Sequence, residues 1–366
     1  MWGRPVDQFG AGVPEPGRWL ITPGRSGGVE EPTVRTGHRR GGRRRLTPAE
    51  ILAAHRSQPY ADLAAACAHE LPPDLTGVLV NLHVVRAAAL RGEATDPWVA
   101  SPEQFRSDRR RHGEAIRAAE AAGSVQFTEP LRMTDLLPGL LIAARRYPGL
   151  PLRLIELGAC AGLLLVPEAY RITYPHSTWS PQAARTQLTA QLDVPQELLD
   201  TALHITDRLG LDLSPVDPGA PGSYDHLRSF AWAGDPSREP RLASALSAVA
   251  QDPPEVMRAD ATVALPDVLA DRVERDVVTV VIESGLSAYL SPLESLRLGR
   301  TLDAMAGRGP LMLISRSAAG SGTDDLPTTT TVLDLGQRWR RTYAATDLLS
   351  ERTRWIAPRS VAELTR

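Results

Sequence analysis

Residues 152–162 read Leu-Arg-Leu-Ile-Glu-Leu-Gly-Ala-Cys-Ala-Gly, and their spacing carries more chemistry than any other stretch of the chain. An apolar run of strand character reaches a carboxylate, Glu156, and then a turn holding Gly158, Ala159, Cys160 and Gly162. Leu163-Leu-Leu-Val follows and can open a helix. A strand, a glycine turn and a helix in that order gather backbone N–H groups at a helix N-terminus, where bare glycines let a ligand approach. The acid at the start of the turn favours a ligand with an amino group. A pyrophosphate site uses Gly-x-Gly-x-x-Gly and puts anionic groups there instead. A tight strand-to-helix turn with no ligand is the alternative reading.

The elements that must position this turn emerge from the rest of the chain. Thr47-Pro48-Ala49-Glu50 has the pattern of a capping box, and Ser101-Pro102-Glu103-Gln104 repeats it. Helices are expected through His55, over Tyr60–His69 and Thr76–Arg91, and from Ser101 toward Ala122, ended by Gly123. Residues 46–124 therefore read as a helical cap subdomain. From about residue 125 short buried-strand runs alternate with helical segments: 152–157, Val277–Ile282 and Leu311–Ile314. That alternation predicts a parallel sheet covered on both faces. Thr328–Leu335 and Arg340–Ile356 read as a C-terminal antiparallel hairpin. The domains expected are a disordered tail at 1–45, the cap at 46–124, and a ligand-binding α/β domain at 125–366 with an insertion at about 166–205.

Composition narrows the chemistry. The chain has 366 residues and no lysine, which excludes Schiff-base catalysis, a pyridoxal anchor and a Walker-type phosphate loop. Residues 1–45 hold nine arginines and a net charge of +5, whereas the whole chain is −2. The tail reads as solvated rather than as a nucleic-acid site. No apolar stretch approaches the ~20 residues of a membrane span. Cys67 and Cys160 lack metal-ligand spacing, so a reduced protein without a bound metal is expected. A cytoplasmic location follows by default.

The Glu-x-Gly-x-x-x-Gly spacing resembles the form found in S-adenosylmethionine (SAM)-dependent methyltransferases. Over a longer span the chain is similar to domain-of-unknown-function family 2332, a bacterial family. The likeness rests on Val125-Gln126-Phe127-Thr128-Glu129, Arg132, Leu136-Leu137-Pro138 and Glu156-Leu-Gly158-Ala-Cys160-Ala-Gly162-Leu-Leu164-Leu. It continues through Gly210-Leu-Asp212-Leu-Ser214-Pro215-Val-Asp217, Trp232–Leu242 and Arg258-Ala259-Asp260-Ala261, then Tyr289-Leu290 and Arg354-Trp355. Cys160, Thr128 and Leu164 replace polar residues that members carry, and Leu349-Ser350 stands where His-Gly is usual. The resemblance implies an α/β, Rossmann-like class I methyltransferase fold, with a mostly parallel seven-stranded sheet and a C-terminal antiparallel hairpin.

It also implies roles. Gly158 and Gly162, with Ala159 and Cys160 between them, would cradle the carboxylate and ribose side of SAM, and Glu156 would face its amino group. Cys160 reads as a small turn residue rather than a nucleophile. Asp212 would take the ribose hydroxyls, with Asp217 as its rival. Asp260 and Ala261 would meet adenine, although Asp260 serves equally as an N-cap for a helix over Ala261–Leu269. Glu283 and Ser284, at the carboxyl end of a central strand, would stand beside the transferring methyl group. Glu283 would act as a general base or hold a substrate amine. Gln126, Glu129 and Arg132 would close over the cofactor. Arg132 suits a carboxylate, and its alternative is a surface salt bridge. The insertion carries Tyr170, Tyr174, His176 and Trp179 and either roofs a substrate pocket or packs on the domain. Tyr170, Tyr289 and Glu129 are the substrate-side candidates.

The function expected is methyl transfer from SAM to a small molecule in specialised bacterial metabolism. Alkyl transfer, cyclisation and a non-catalytic binding role stay open. Expected partners are the small-molecule substrate and, as an open alternative, a second copy in a homodimer; neither nucleic acid nor a membrane is expected.

Overall fold

The computed structural model describes residues 47–54, 58–122, 125–231, 237–318, 328–346, 353–358 and 360–365. The basic tail, His55, Gly123, Trp232 and Leu349-Ser350 lie outside them.

Five helices come first: α1 (Pro48–Ala54), α2 (Gln58–Ala66), α3 (Leu75–Leu90), α4 (Pro102–Arg111) and α5 (Gly113–Ala122). Both expected capping boxes form, with Thr47 N–H donating to Glu50 at 2.7 Å and the Ser101–Gln104 pair closing reciprocally. The polar helix expected from Ser101 to Ala122 is two helices, broken at His112. The break has a packing reason. Phe105 of α4 is buried with α2 and α3, whereas Ile116 of α5 joins Val80 and Val84 in a separate cluster. One straight helix cannot serve both.

Next come α6 (Met133–Arg146), β1 (Leu152–Leu157), β2 (Tyr170–Thr173), β3 (Thr178–Trp179), β4 (Thr186–Thr189), α7 (Gln196–Leu199) and β5 (Ile205–Asp212). They are followed by α8 (Ser223–Phe230), α9 (Arg238–Val249), β6 (Glu255–Arg258), α10 (Ala261–Arg272), β7 (Val278–Ser284) and α11 (Pro292–Met305). The chain ends in β8 (Leu311–Ala318), β9 (Thr328–Asp334), β10 (Trp339–Thr346), β11 (Thr353–Trp355) and α12 (Val361–Leu364).

One mixed sheet of eight strands has the order β11-β10-β9-β8-β7-β1-β5-β6. The five strands β8-β7-β1-β5-β6 are parallel, and β9, β10 and β11 each run antiparallel to the preceding strand. The expectation of seven strands ending in a hairpin is thus corrected to eight ending in a meander. The last strand-like piece, Arg340–Ile356, splits into β10 and β11. Two apolar layers cover the sheet. Leu152, Leu154, Val278, Val280 and Ile282 pack against α6, α8 and α9, while Ile155, Leu157 and Val281 pack against α10 and α11. Burial on both faces is why β1 and β7 read as nearly unbroken apolar runs.

The helix expected at Leu163 does not form; residues 163–165 continue the turn and a short 3-10 segment, Pro167–Ala169, leads into β2. Cys160 and Gly162 have φ of +54° and +71°, outside the helical range. The insertion instead builds a separate sheet, β3-β2-β4. Two of its aromatics are packed, whereas His176 is exposed and Trp179 half-buried. Tyr170 and Tyr174 are buried and donate to the carbonyls of Leu163 and Thr134 at 2.7 and 2.9 Å.

Candidate functional site

The chain moves from β1 to β5 and β6 on one side, then returns to place β7 and β8 on the other. In an open parallel sheet such a reversal opens a crevice at the carboxyl ends of the strands. Glu156, Asp212 and Ser284 all stand at that edge, on β1, β5 and β7. Side-chain alternation sorts them. Glu156, Asp212 and Ser284 lie on the α6 side with Leu154 and Ile282, and Glu283 lies on the α10–α11 side with Val281.

The turn after β1 is tightly tied. Gly158 and Ala159 N–H donate to the Leu211 carbonyl at 2.8 and 3.3 Å, and Gly162 N–H to the Ala159 carbonyl at 2.8 Å. Cys160 N–H donates to Asp212 Oδ2 at 2.8 Å. At these four residues the backbone donors serve the turn itself. Gly158 (φ +75°) remains exposed, and a side chain there would only touch Leu286 at 3.6 Å. Gly162 has a packing reason, because an added Cβ would sit 2.6 Å from Pro254 Cγ.

Asp212 is occupied as well. Its Oδ1 accepts from Ser214 N–H at 2.7 Å and from Gln126 Nε2 at 3.0 Å. Gln126 Nε2 also donates to the Ser214 carbonyl at 2.9 Å. Two acceptors fix the amide's orientation, which turns Oε1 away; that atom is buried and has no hydrogen-bond partner. Asp217, the rival for the ribose, accepts from Gly219 N–H in its own exposed loop.

Glu156 is the outlier. It is 3 % exposed, and its Oε2 is buried without a hydrogen-bond partner. Burial holds its carboxyl well above the ordinary range; Arg132 opposes this, and Asp212 adds to it. Arg132 donates Nη1 to the Ser284 carbonyl at 2.7 Å and packs over the Phe127 ring, 5.3 Å from its centroid. Among the described residues it has no carboxylate partner within ion-pair distance. Burial lowers its pKa, and nearby Arg316 lowers it further. Ser284 Oγ is a third buried atom without a partner. Of twelve such atoms among the described residues, three lie along this edge.

The other candidates are placed differently. Glu283 accepts from Ser287 N–H and Ser315 Oγ, each at 2.9 Å, and burial raises its pKa against those hydrogen bonds. It shapes the turn after β7, on the face away from Glu156. Asp260 is the N-cap of α10, accepting from Thr262 N–H at 2.8 Å, with Ala261 as the first helical residue. Burial would raise the pKa of Glu129, but Arg241 and Arg238 overcome it and the net direction is down. It pairs with Arg241 at 2.9 Å and Arg238 at 3.0 Å, and so works as an anchor on α9. Tyr170 is core, not crevice, which corrects its expected role. Tyr289 is 42 % exposed at the crevice edge. Cys160 is buried, and burial raises its thiol well above the ordinary value, in keeping with a turn residue rather than a nucleophile. No group of three metal-ligating side chains occurs among the described residues, and none of their helices is long and apolar enough to cross a membrane.

Sequence reasoning missed Arg316, which joins the edge from β8 and pairs with Asp135 at 2.9 Å. Its register opposite Ser284 was the available signal, but that register exists only once β7 and β8 are paired.

No curated protein matches the chain. A family model described as an uncharacterized protein conserved in bacteria, DUF2332, matches residues 44–355, which runs from just before the cap to the last strand of the large sheet. The chain belongs to that bacterial family.

Proposed function

We propose that the protein is a SAM-dependent methyltransferase acting on a small molecule. The observation that carries the reading is the buried, unpartnered carboxyl of Glu156 beside the exposed, left-handed Gly158 at the sheet's reversal point. An acid in that state is stabilised by a cation, and a glycine without a side chain leaves room for one to approach. Arg132, without a carboxylate partner, supplies the complementary charge. Ammonium and carboxylate together are what an α-amino-acid end group presents.

In this reading Glu156 holds the amino group and Arg132 the carboxylate. Gly158 permits close backbone contact, and Gln126 Oε1 accepts from a hydroxyl. SAM supplies an activated methyl group on a sulfonium, so positioning and exclusion of water provide most of the acceleration. Glu283 need not move a proton; it keeps the turn at Ser284–Ser287 in shape.

Calorimetry on the purified chain tests this with S-adenosylhomocysteine. Binding by the wild type that is lost in Glu156→Gln and Gly158→Val, with both variants folded by circular dichroism, is the expected result. No heat from the wild type with either SAM or S-adenosylhomocysteine would remove the reading. A second reading, a binding protein without catalysis, draws on the internal use of Asp212 and of the turn's N–H groups. It is favoured if Gly158→Val leaves cellular function intact.

A further inference from the structure

Residues 125–132 leave the cap and cross the carboxyl edge of the sheet before α6 begins. Gln126 is bonded to Asp212 and Ser214 at the end of β5, and Arg132 to the Ser284 carbonyl at the end of β7. β1 lies between β5 and β7, so the segment spans Glu156, and Asp212 and Arg132 are the charged groups that act on that carboxyl. Midway, Glu129 is held to α9 by Arg238 and Arg241. The segment is thus fastened at three points. It carries one unpartnered buried acceptor of its own, Gln126 Oε1. Ser284 Oγ, also without a partner, lies where Arg132 fastens.

We propose that residues 125–132 form a strap that must lift to admit the ligand and that reads it on closing, through Gln126 Oε1 and the Arg132 guanidinium. This deepens the cofactor reading and rests on it for the ligand's identity. Three buried polar atoms at this edge have no hydrogen-bond partner, and a ligand with ammonium and hydroxyl donors satisfies them. With both ends fastened, Glu156 is only 3 % exposed.

Hydrogen exchange on the full-length chain tests the gate in two arms. Without ligand, strap amides are expected to exchange through local opening at least about tenfold faster than those of β1 and β5. Arg241→Met, which cuts the anchor on α9 away from the crevice, is expected to speed strap exchange while leaving β1 unchanged. With saturating S-adenosylhomocysteine, strap exchange slows roughly fivefold or more, and Arg241→Met shows a faster association rate. Strap amides as protected as those of β1 in the absence of ligand would overturn the gate, whatever the ligand does. Binding of S-adenosylhomocysteine with unchanged strap exchange and an unchanged association rate would overturn it too. A strap that opens separately while S-adenosylhomocysteine fails to bind supports the gate and removes the cofactor reading alone.

Discussion

Asp212, the last residue of β5, and Cys160, in the turn after β1, are joined by a 2.8 Å hydrogen bond from the Cys160 backbone N–H to Asp212 Oδ2. Cys160 has φ of +54°, a conformation a side-chain-bearing residue rarely adopts, and the carboxylate at the end of β5 holds it there. The carboxylate is thereby part of the turn's own scaffold.

Removing that scaffold has a measurable cost. Asp212→Ala strips the acceptor from Cys160 N–H, Ser214 N–H and Gln126 Nε2 at once. Unmet buried donors cost about 1–3 kcal/mol each, partly offset by water, so a loss of about 3 kcal/mol is expected in urea unfolding. Asp212→Asn, which keeps an acceptor, loses less. Equal stability of Asp212→Ala and wild type would show that the turn stands without its carboxylate.

The two glycines of the turn separate by their surroundings. Gly158→Ala meets only ordinary contact and the left-handed φ, for about 1 kcal/mol. Gly162→Ala adds a clash with Pro254 and is expected to cost about 2–4 kcal/mol. Denaturant midpoints give the order directly; the reverse order would contradict the packing described.

Glu156 sets a pH dependence. Its folded-state pKa lies above the ordinary 4.5, so the native state favours the protonated acid. The native state binds the proton more tightly than the unfolded chain, and stability falls as pH rises from about 4.5 until the raised pKa is passed. Glu156→Gln cannot titrate. It is expected to match wild type near pH 4 and to melt several degrees higher at neutral pH, by roughly 2–4 °C per kcal/mol recovered. Melting profiles against pH that stay parallel for the two proteins would rule the buried acid out as their cause.

A second titration sits between cap and sheet domain. His83 of α3 stacks on Phe230 of α8 at 3.5 Å between ring centroids, and its Nδ1 is 2.5 Å from Ser229 Oγ. Burial, with His226 adding, lowers its pKa from 6.5 to about 3. A depressed histidine favours the neutral form in the fold. This contribution is whole above pH 6.5 and is lost as pH falls toward 3. His83→Phe keeps a ring against Phe230 and is expected to flatten the stability profile over that window. An unchanged acid slope in the variant would mean that other groups carry it.

Much of the architecture was legible in the chain. The capping boxes at Thr47 and Ser101 formed because their partners sit three residues away. The central strands were readable because burial on both faces leaves unbroken apolar runs in β1 and β7. The helix after Gly162 was misread because Leu163–Val166 fits a buried turn as well as a helix, and only the positive φ of Cys160 and Gly162 decides between them. The meander was misread as a hairpin because strand count at the sheet edge depends on pairing between segments, not on any one segment.

The residues by themselves determined that an acid and a glycine turn would end β1, because apolar periodicity and strand-ending turns are local properties. Which face each acid takes, that Asp212 serves Cys160, and that Gln126 reaches 86 positions along the chain to Asp212 were decided only by the tertiary structure. Hydrogen bonds over such separations depend on how strands are ordered and paired, and that order is fixed by burial of the whole sheet rather than by any neighbourhood in the chain.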